Sequence, residues 1–83
     1  MSTWHTYILR CADRSLYVGI TTDLEARILK HNAGKGGAYT RSHRPVVLVW
    51  HEMAASESAA RKREAELKRW KKAKKEDFLK SGV

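Results

Sequence analysis

Two strand-like runs near the N-terminus, separated by a three-residue turn, limit the fold more than any other feature. Trp4–Cys11 is rich in aromatic and β-branched residues, Ala12-Asp13-Arg14 reads as a turn, and Ser15–Ile20 resumes the pattern. Strands this close in sequence leave no room for a crossover, so they pair antiparallel as a hairpin. Gly19, inside the second arm, predicts a bulge or the close approach of another group.

Helical signals follow. Thr22 and Glu25 have the spacing of a capping box, and the helix they open runs through His31 to a stop near Gly34. Gly34-Lys35-Gly36-Gly37 reads as a flexible loop and lacks the spacing of a phosphate-binding P-loop. Pro45 opens the next element, and Val46–Trp50 is apolar enough to predict a third strand buried on both faces. A second helix is expected from about Ser56 to about Trp70. The basic stretch 71–83 either prolongs it or forms a separate helical tail. The order β-β-α-β-α implies an α+β fold: a three-stranded, largely antiparallel sheet flanked by helices. With 83 residues, the expectation is one domain over 1–83.

Charge bears on function. Lys and Arg number 17 against 9 Asp and Glu, a net charge of +8. An excess of this size predicts a polyanionic partner, because each phosphate neutralised releases condensed counterions. The basic helix near the C-terminus is too poor in large apolar residues to lie in lipid, and no apolar stretch is long enough to cross a membrane. Cys11 is the sole cysteine and the start lacks a signal-peptide pattern, so the expected location is cytoplasmic.

Two helices place polar side chains where apolar ones belong. Leu24, Ile28 and His31 share one helical face, and Arg27 sits at its edge. In the second helix Glu64 lies between Ala60 and Leu67 on the apolar stripe, with Trp70 below as a core residue. Glu57 is explained by the helix dipole and Glu66 points to solvent. Burying Glu64 alone would cost several kcal/mol, so it needs a cation: Arg27, a metal ion, or both. The four histidines and Cys11 show no zinc-like spacing. A hard ion suits a lone carboxylate completed by waters and substrate phosphate.

Taken together, Thr6-Tyr7-Ile8, Tyr17-Val18-Gly19, Arg27 with His31, and Glu64 resemble the signature of the GIY-YIG nucleases. The small bacterial single-domain subgroup is also similar through Ser15–Thr21 and Gly37-Ala38-Tyr39-Thr40. The chain departs from the pattern at His5-Thr6-Tyr7, where only the tyrosine of the first motif survives, and at Val18. It also lacks the asparagine that many members carry after the glutamate.

The resemblance implies a metal-dependent nuclease acting on nucleic acid, DNA favoured over RNA, with one divalent ion, Mg²⁺ or Mn²⁺, on Glu64. It implies Tyr7 as the base for the attacking water, helped by cations that lower its pKa. Tyr17 would position water or phosphate, Arg27 would neutralise the phosphate, and His31 would assist proton movement. Lys35, Tyr39, Arg41, Arg44, Arg61 and Lys68 are the expected nucleic-acid contacts. No membrane or small-molecule cofactor is implied, and there is room for a partner protein. The alternative is a non-catalytic nucleic-acid-binding module on the same fold. One geometric expectation is sharp: the tyrosines share a sheet face only if Tyr7 pairs with an odd-numbered residue such as Gly19.

Overall fold

The computed structural model describes residues 3–81, so Met1, Ser2 and the tail residues Gly82 and Val83 lie outside the described residues. The two N-terminal runs are strands β1 (Trp4–Arg10) and β2 (Leu16–Thr21). In the turn between them the Asp13 carboxylate accepts from the Ser15 backbone N–H at 3.0 Å and from its hydroxyl at 2.6 Å. A third strand, β3 (Val47–Ala54), pairs antiparallel along the other side of β1, giving the order β2-β1-β3.

Tyr7 stands opposite Gly19, and Leu9 opposite Tyr17, so the odd-numbered residues of β1 and β2 share one face. On that face Tyr7, Leu9 and Tyr17 pack with Leu24 and Ile28 of α1 (Leu24–Asn32). The even-numbered Ile8 and Val18 turn the other way, onto Leu67 of α3 (Glu57–Arg69). On the same side the Thr6 hydroxyl donates to the Ala60 carbonyl at 3.0 Å. The sheet is therefore a middle layer with a helix on each side. A short α2 (Ala38–Ser42) precedes β3, and α4 (Lys72–Ser81) closes the chain, both added to the expected β-β-α-β-α order.

Three local expectations are corrected. The first helix is capped by Asp23, whose carboxylate accepts from Ala26 N–H at 3.1 Å, and not by a Thr22–Glu25 box. Thr21 supports the cap from the end of β2, its hydroxyl accepting from Asp23 N–H. Next, β3 is not buried on both faces: it is an edge strand, with Val47 and Met53 60% and 70% exposed. A register shift where it passes Ile8 and Leu9 breaks its alternation, which is why the apolar run reads like a buried strand. Finally, Gly34–Gly37 leads directly into α2, a helix too short to show periodicity.

The basic tail is a separate helix as far as it is described. Arg10 grips Glu76 with both terminal nitrogens, at 2.9 and 2.7 Å. Phe78 meets Trp50 and Trp70 edge-on, with centroids 5.2 and 5.3 Å apart, and Trp70 packs on the Ile8–Val18–Leu67 cluster as a core residue. No helix among the described residues is long and apolar enough to cross a membrane.

Candidate active site

Tyr7 enters from the central strand and is 1% exposed. Its hydroxyl reaches Nε2 of His31, from the last turn of α1, at 3.1 Å. The phenol has room because its cross-strand partner is glycine: a Cβ on Gly19 would lie 2.5 Å from the Tyr7 oxygen. This is the close approach expected of a glycine inside a strand. His31 is fully buried, and its Nδ1 lies 2.7 Å from the Thr40 hydroxyl on α2. Tyr17, half-buried on the neighbouring strand, sets its ring edge-on to His31 with centroids 5.3 Å apart.

The charges around this group pull in both directions. Burial pushes the Tyr7 phenol up to about 12, and Tyr17 and Glu64 add to that, while Arg27 opposes it by its charge and as a hydrogen-bond donor. The expectation that nearby cations lower Tyr7 is thus corrected: Arg27 acts in that direction, but desolvation wins. His31 is pushed below its usual value, first by burial and then by the Arg27 charge, so its imidazole is neutral at pH 7.

Glu64 is half-buried between Ala60 and Leu67, both 0% exposed, on the side of α3 that faces the sheet. Its side chain is 20% exposed and its nearest cation is Lys68, one turn later, at 3.2 Å. No Glu64–Arg27 ion pair exists among the described residues; both charges are instead felt at the Tyr7 phenol. Nor do three His, Cys, Asp or Glu side chains gather among the described residues to share an ion. The donor set is one accessible carboxylate, which fits a hard ion that keeps several waters and takes further oxygens from substrate phosphate.

The family model of the GIY-YIG catalytic domain matches residues 3–77, nearly the whole chain and every residue of this cluster. The chain belongs to the GIY-YIG family. It is 52% identical over 75 residues to a UPF0213 protein of Staphylococcus haemolyticus, an alignment covering 90% of this chain and 92% of that one. To a UPF0213 protein of Haloquadratum walsbyi it is 46% identical over 84 residues, covering 100% and 94%. The fold is similar to the solution NMR structure of a UPF0213 protein from Bacillus halodurans, with TM-score 0.63, 40% identity, and coverage of 96% and 85%. A protein from E. faecalis gives TM-score 0.65 at 37% identity, covering 98% and 86%. The GIY-YIG catalytic domain is of nuclease type, which makes nucleic acid the substrate class of the family.

The expected nucleic-acid contacts of this GIY-YIG domain fall into different surroundings. Tyr39, 43% exposed, lies beside the site: it stacks on His43 at 4.2 Å and approaches Tyr17 at 6.1 Å. Its hydroxyl donates to Ser15 Oγ at 2.6 Å. Lys35 and Arg41 are exposed. Arg44 folds back, donating to the carbonyls of Arg41 and Asn32 at 3.0 and 3.4 Å, and so closes the loop over Gly34. Arg61 is held by Glu57 at 2.6 Å, and Lys68 by Glu64.

Two residues close to the cluster carry no sequence expectation of a role. Thr40 contacts His31, and Gly36 lies so close that a Cβ there would collide with the His31 ring. The available signal is the Gly37-Ala38-Tyr39-Thr40 segment of the family resemblance, whose contacts the sequence does not specify.

Proposed function

We propose that this chain is a metal-dependent nuclease that hydrolyses a phosphodiester bond in nucleic acid, with DNA favoured over RNA. The observation that carries the reading is the Tyr7 phenol, hydrogen-bonded to neutral His31 while the charges of Arg27 and Glu64 both act on it. A phenol and a neutral imidazole in contact form a proton route, and a lone carboxylate and a guanidinium flank it. The net charge of +8 supports a polyanionic substrate.

Each side chain has a distinct task. The phenol is protonated at rest, so Tyr7 becomes a base only by passing its proton to His31 Nε2 as the substrate docks. The phenolate then accepts a proton from water, whose oxygen bonds to phosphorus while the bond to the leaving sugar oxygen breaks. Arg27 stabilises the charge gathering on the phosphate oxygens. Tyr17, at the mouth, orients the water or the phosphate. Glu64 would hold Mg²⁺ or Mn²⁺, and when bound the ion polarises the phosphate and stabilises the leaving oxygen.

The test is a panel of labelled DNA and RNA structures, with and without Mn²⁺, given to the parent protein and to Glu64→Ala. Loss of cutting with retention of binding in the variant is the expected result. A parent that binds every substrate and cuts none, with or without metal, would favour the non-catalytic module. Binding should weaken steeply with salt.

A further inference from the structure

Both ring nitrogens of His31 are already engaged. Nε2 meets the Tyr7 hydroxyl at 3.1 Å and Nδ1 meets the Thr40 hydroxyl at 2.7 Å, and all three residues are 1% exposed or less. Gly36 backs the ring, and Tyr17 stands edge-on to it. No nitrogen is left for substrate or solvent. His31 acts through Tyr7, and something must decide which nitrogen carries its single proton.

The neighbours decide it. A guanidinium only donates, so Arg27 takes up an acceptor position on the Tyr7 oxygen. The phenol's own proton then points to His31 Nε2, which must present a lone pair. The ring proton therefore lies on Nδ1 and is donated to Thr40 Oγ1. With the other tautomer, Nε2–H and Arg27 would both donate to one phenol oxygen, and the buried Tyr7 hydroxyl would lose its partner.

We propose that Thr40 is a positioning residue whose hydroxyl fixes the His31 tautomer, with the proton on Nδ1 and the Nε2 lone pair facing the Tyr7 hydroxyl. Its catalytic consequence rests on the nuclease reading above. When Tyr7 gives up its proton, the O–H bond breaks, an N–H bond forms at Nε2, and His31 becomes imidazolium with Nδ1–H still on Thr40. Tyr7 regains a proton from the attacking water. The surplus proton on Nε2 leaves through solvent, balancing the one taken up by the departing sugar oxygen. Thr40 is delivered by the short helix α2, which is tied to the hairpin turn through Tyr39–Ser15 and the Ala12 N–H to His43 carbonyl bond at 3.0 Å. The turn of β1 and β2 and the tautomer of α1's histidine are thereby mechanically linked.

The test uses Thr40→Val, which keeps the shape and removes the hydroxyl, and Thr40→Ser, which restores it. Long-range ¹⁵N NMR on the substrate-free protein reads the tautomer directly. The parent and Thr40→Ser should carry Nδ1–H, and Thr40→Val should shift toward Nε2–H. In cleavage assays with Mn²⁺, kcat of Thr40→Val should fall about 10- to 100-fold at unchanged KM, as when an orienting partner of a functional histidine is removed. Thr40→Ser should recover most of the rate. A parent carrying Nε2–H overturns the proposal, and so does Thr40→Val with parental tautomer and rate. If Thr40→Val fails to fold, the parent tautomer and the rate of Thr40→Ser still decide. A parent that carries Nδ1–H but never cuts refutes the nuclease reading and upholds the tautomer assignment.

Discussion

Tyr7 and Gly19 face each other across β1 and β2, and the phenol occupies the space that any side chain at Gly19 would need. The glycine is therefore a steric requirement of the buried tyrosine. Gly19→Ala must push the ring away from His31 or bend the hairpin. We expect a stability loss of about 1–3 kcal/mol, the usual range for overpacking a core, together with a deep loss of cleavage. Urea unfolding and the cleavage assay check both; an active variant of parental stability would mean that the phenol sits elsewhere.

The phenol of Tyr7 should titrate at about 12, held there chiefly by burial. An ultraviolet titration of phenolate absorbance should show a late-titrating tyrosine that disappears in Tyr7→Phe. The linkage has a sign. Above about pH 10 the unfolded chain loses a proton that folded Tyr7 keeps, so stability falls as pH rises toward 12. Tyr7→Phe should flatten that alkaline decline.

His31 gives the opposite dependence. Its folded pKa lies below the ordinary histidine value of 6.5, so as pH falls below 6.5 the unfolded chain takes up a proton that the buried imidazole refuses. Stability present above pH 6.5 is lost on acidification toward the folded value. Melting temperatures between pH 8 and pH 5 should fall more steeply for the parent than for His31→Gln. Equal slopes would indicate that His31 is hydrated.

Lys68 neutralises Glu64 in the absence of an ion. A pair of this i,i+4 kind is worth about 0.3–0.5 kcal/mol, roughly a factor of two in an equilibrium constant. Lys68→Met should therefore bind Mn²⁺ about two-fold more tightly, read by titration of the free-ion signal in electron paramagnetic resonance. A variant whose ion affinity is unchanged but whose DNA affinity drops would return Lys68 to the role of a phosphate contact.

The hairpin, the two-sided sheet and the inward-facing Glu64 are legible in the sequence because each leaves a local periodic trace. Tyr7, Leu9, Tyr17 and Gly19 alternate strictly, and Ala60, Glu64 and Leu67 fall on one helical stripe. The Asp23 cap is not legible, because Thr21, Thr22 and Asp23 all have capping chemistry and only backbone geometry separates them. The strand β3 reads as buried because a bulge spoils its period. Thr40 is hidden because nothing local distinguishes a threonine that binds a histidine nine residues away from one that faces water. The elevated phenol escapes a sequence reading for a related reason: desolvation is a property of the packed interior, whereas the cations that oppose it are visible as letters.

Glu64 hangs from the helix on one side of the sheet, while Arg27 and His31 hang from the helix on the other. The gap between carboxylate and guanidinium is consequently gauged by the thickness of the sheet itself, as the opening of a calliper is set by what it grips. A core change at Ile8, Val18 or Leu67 that tilts α3 by a fraction of an ångström would move one jaw and leave the other in place. Such changes should weaken cleavage well before they weaken folding, which makes the far side of the sheet a place to tune turnover without touching a reacting group.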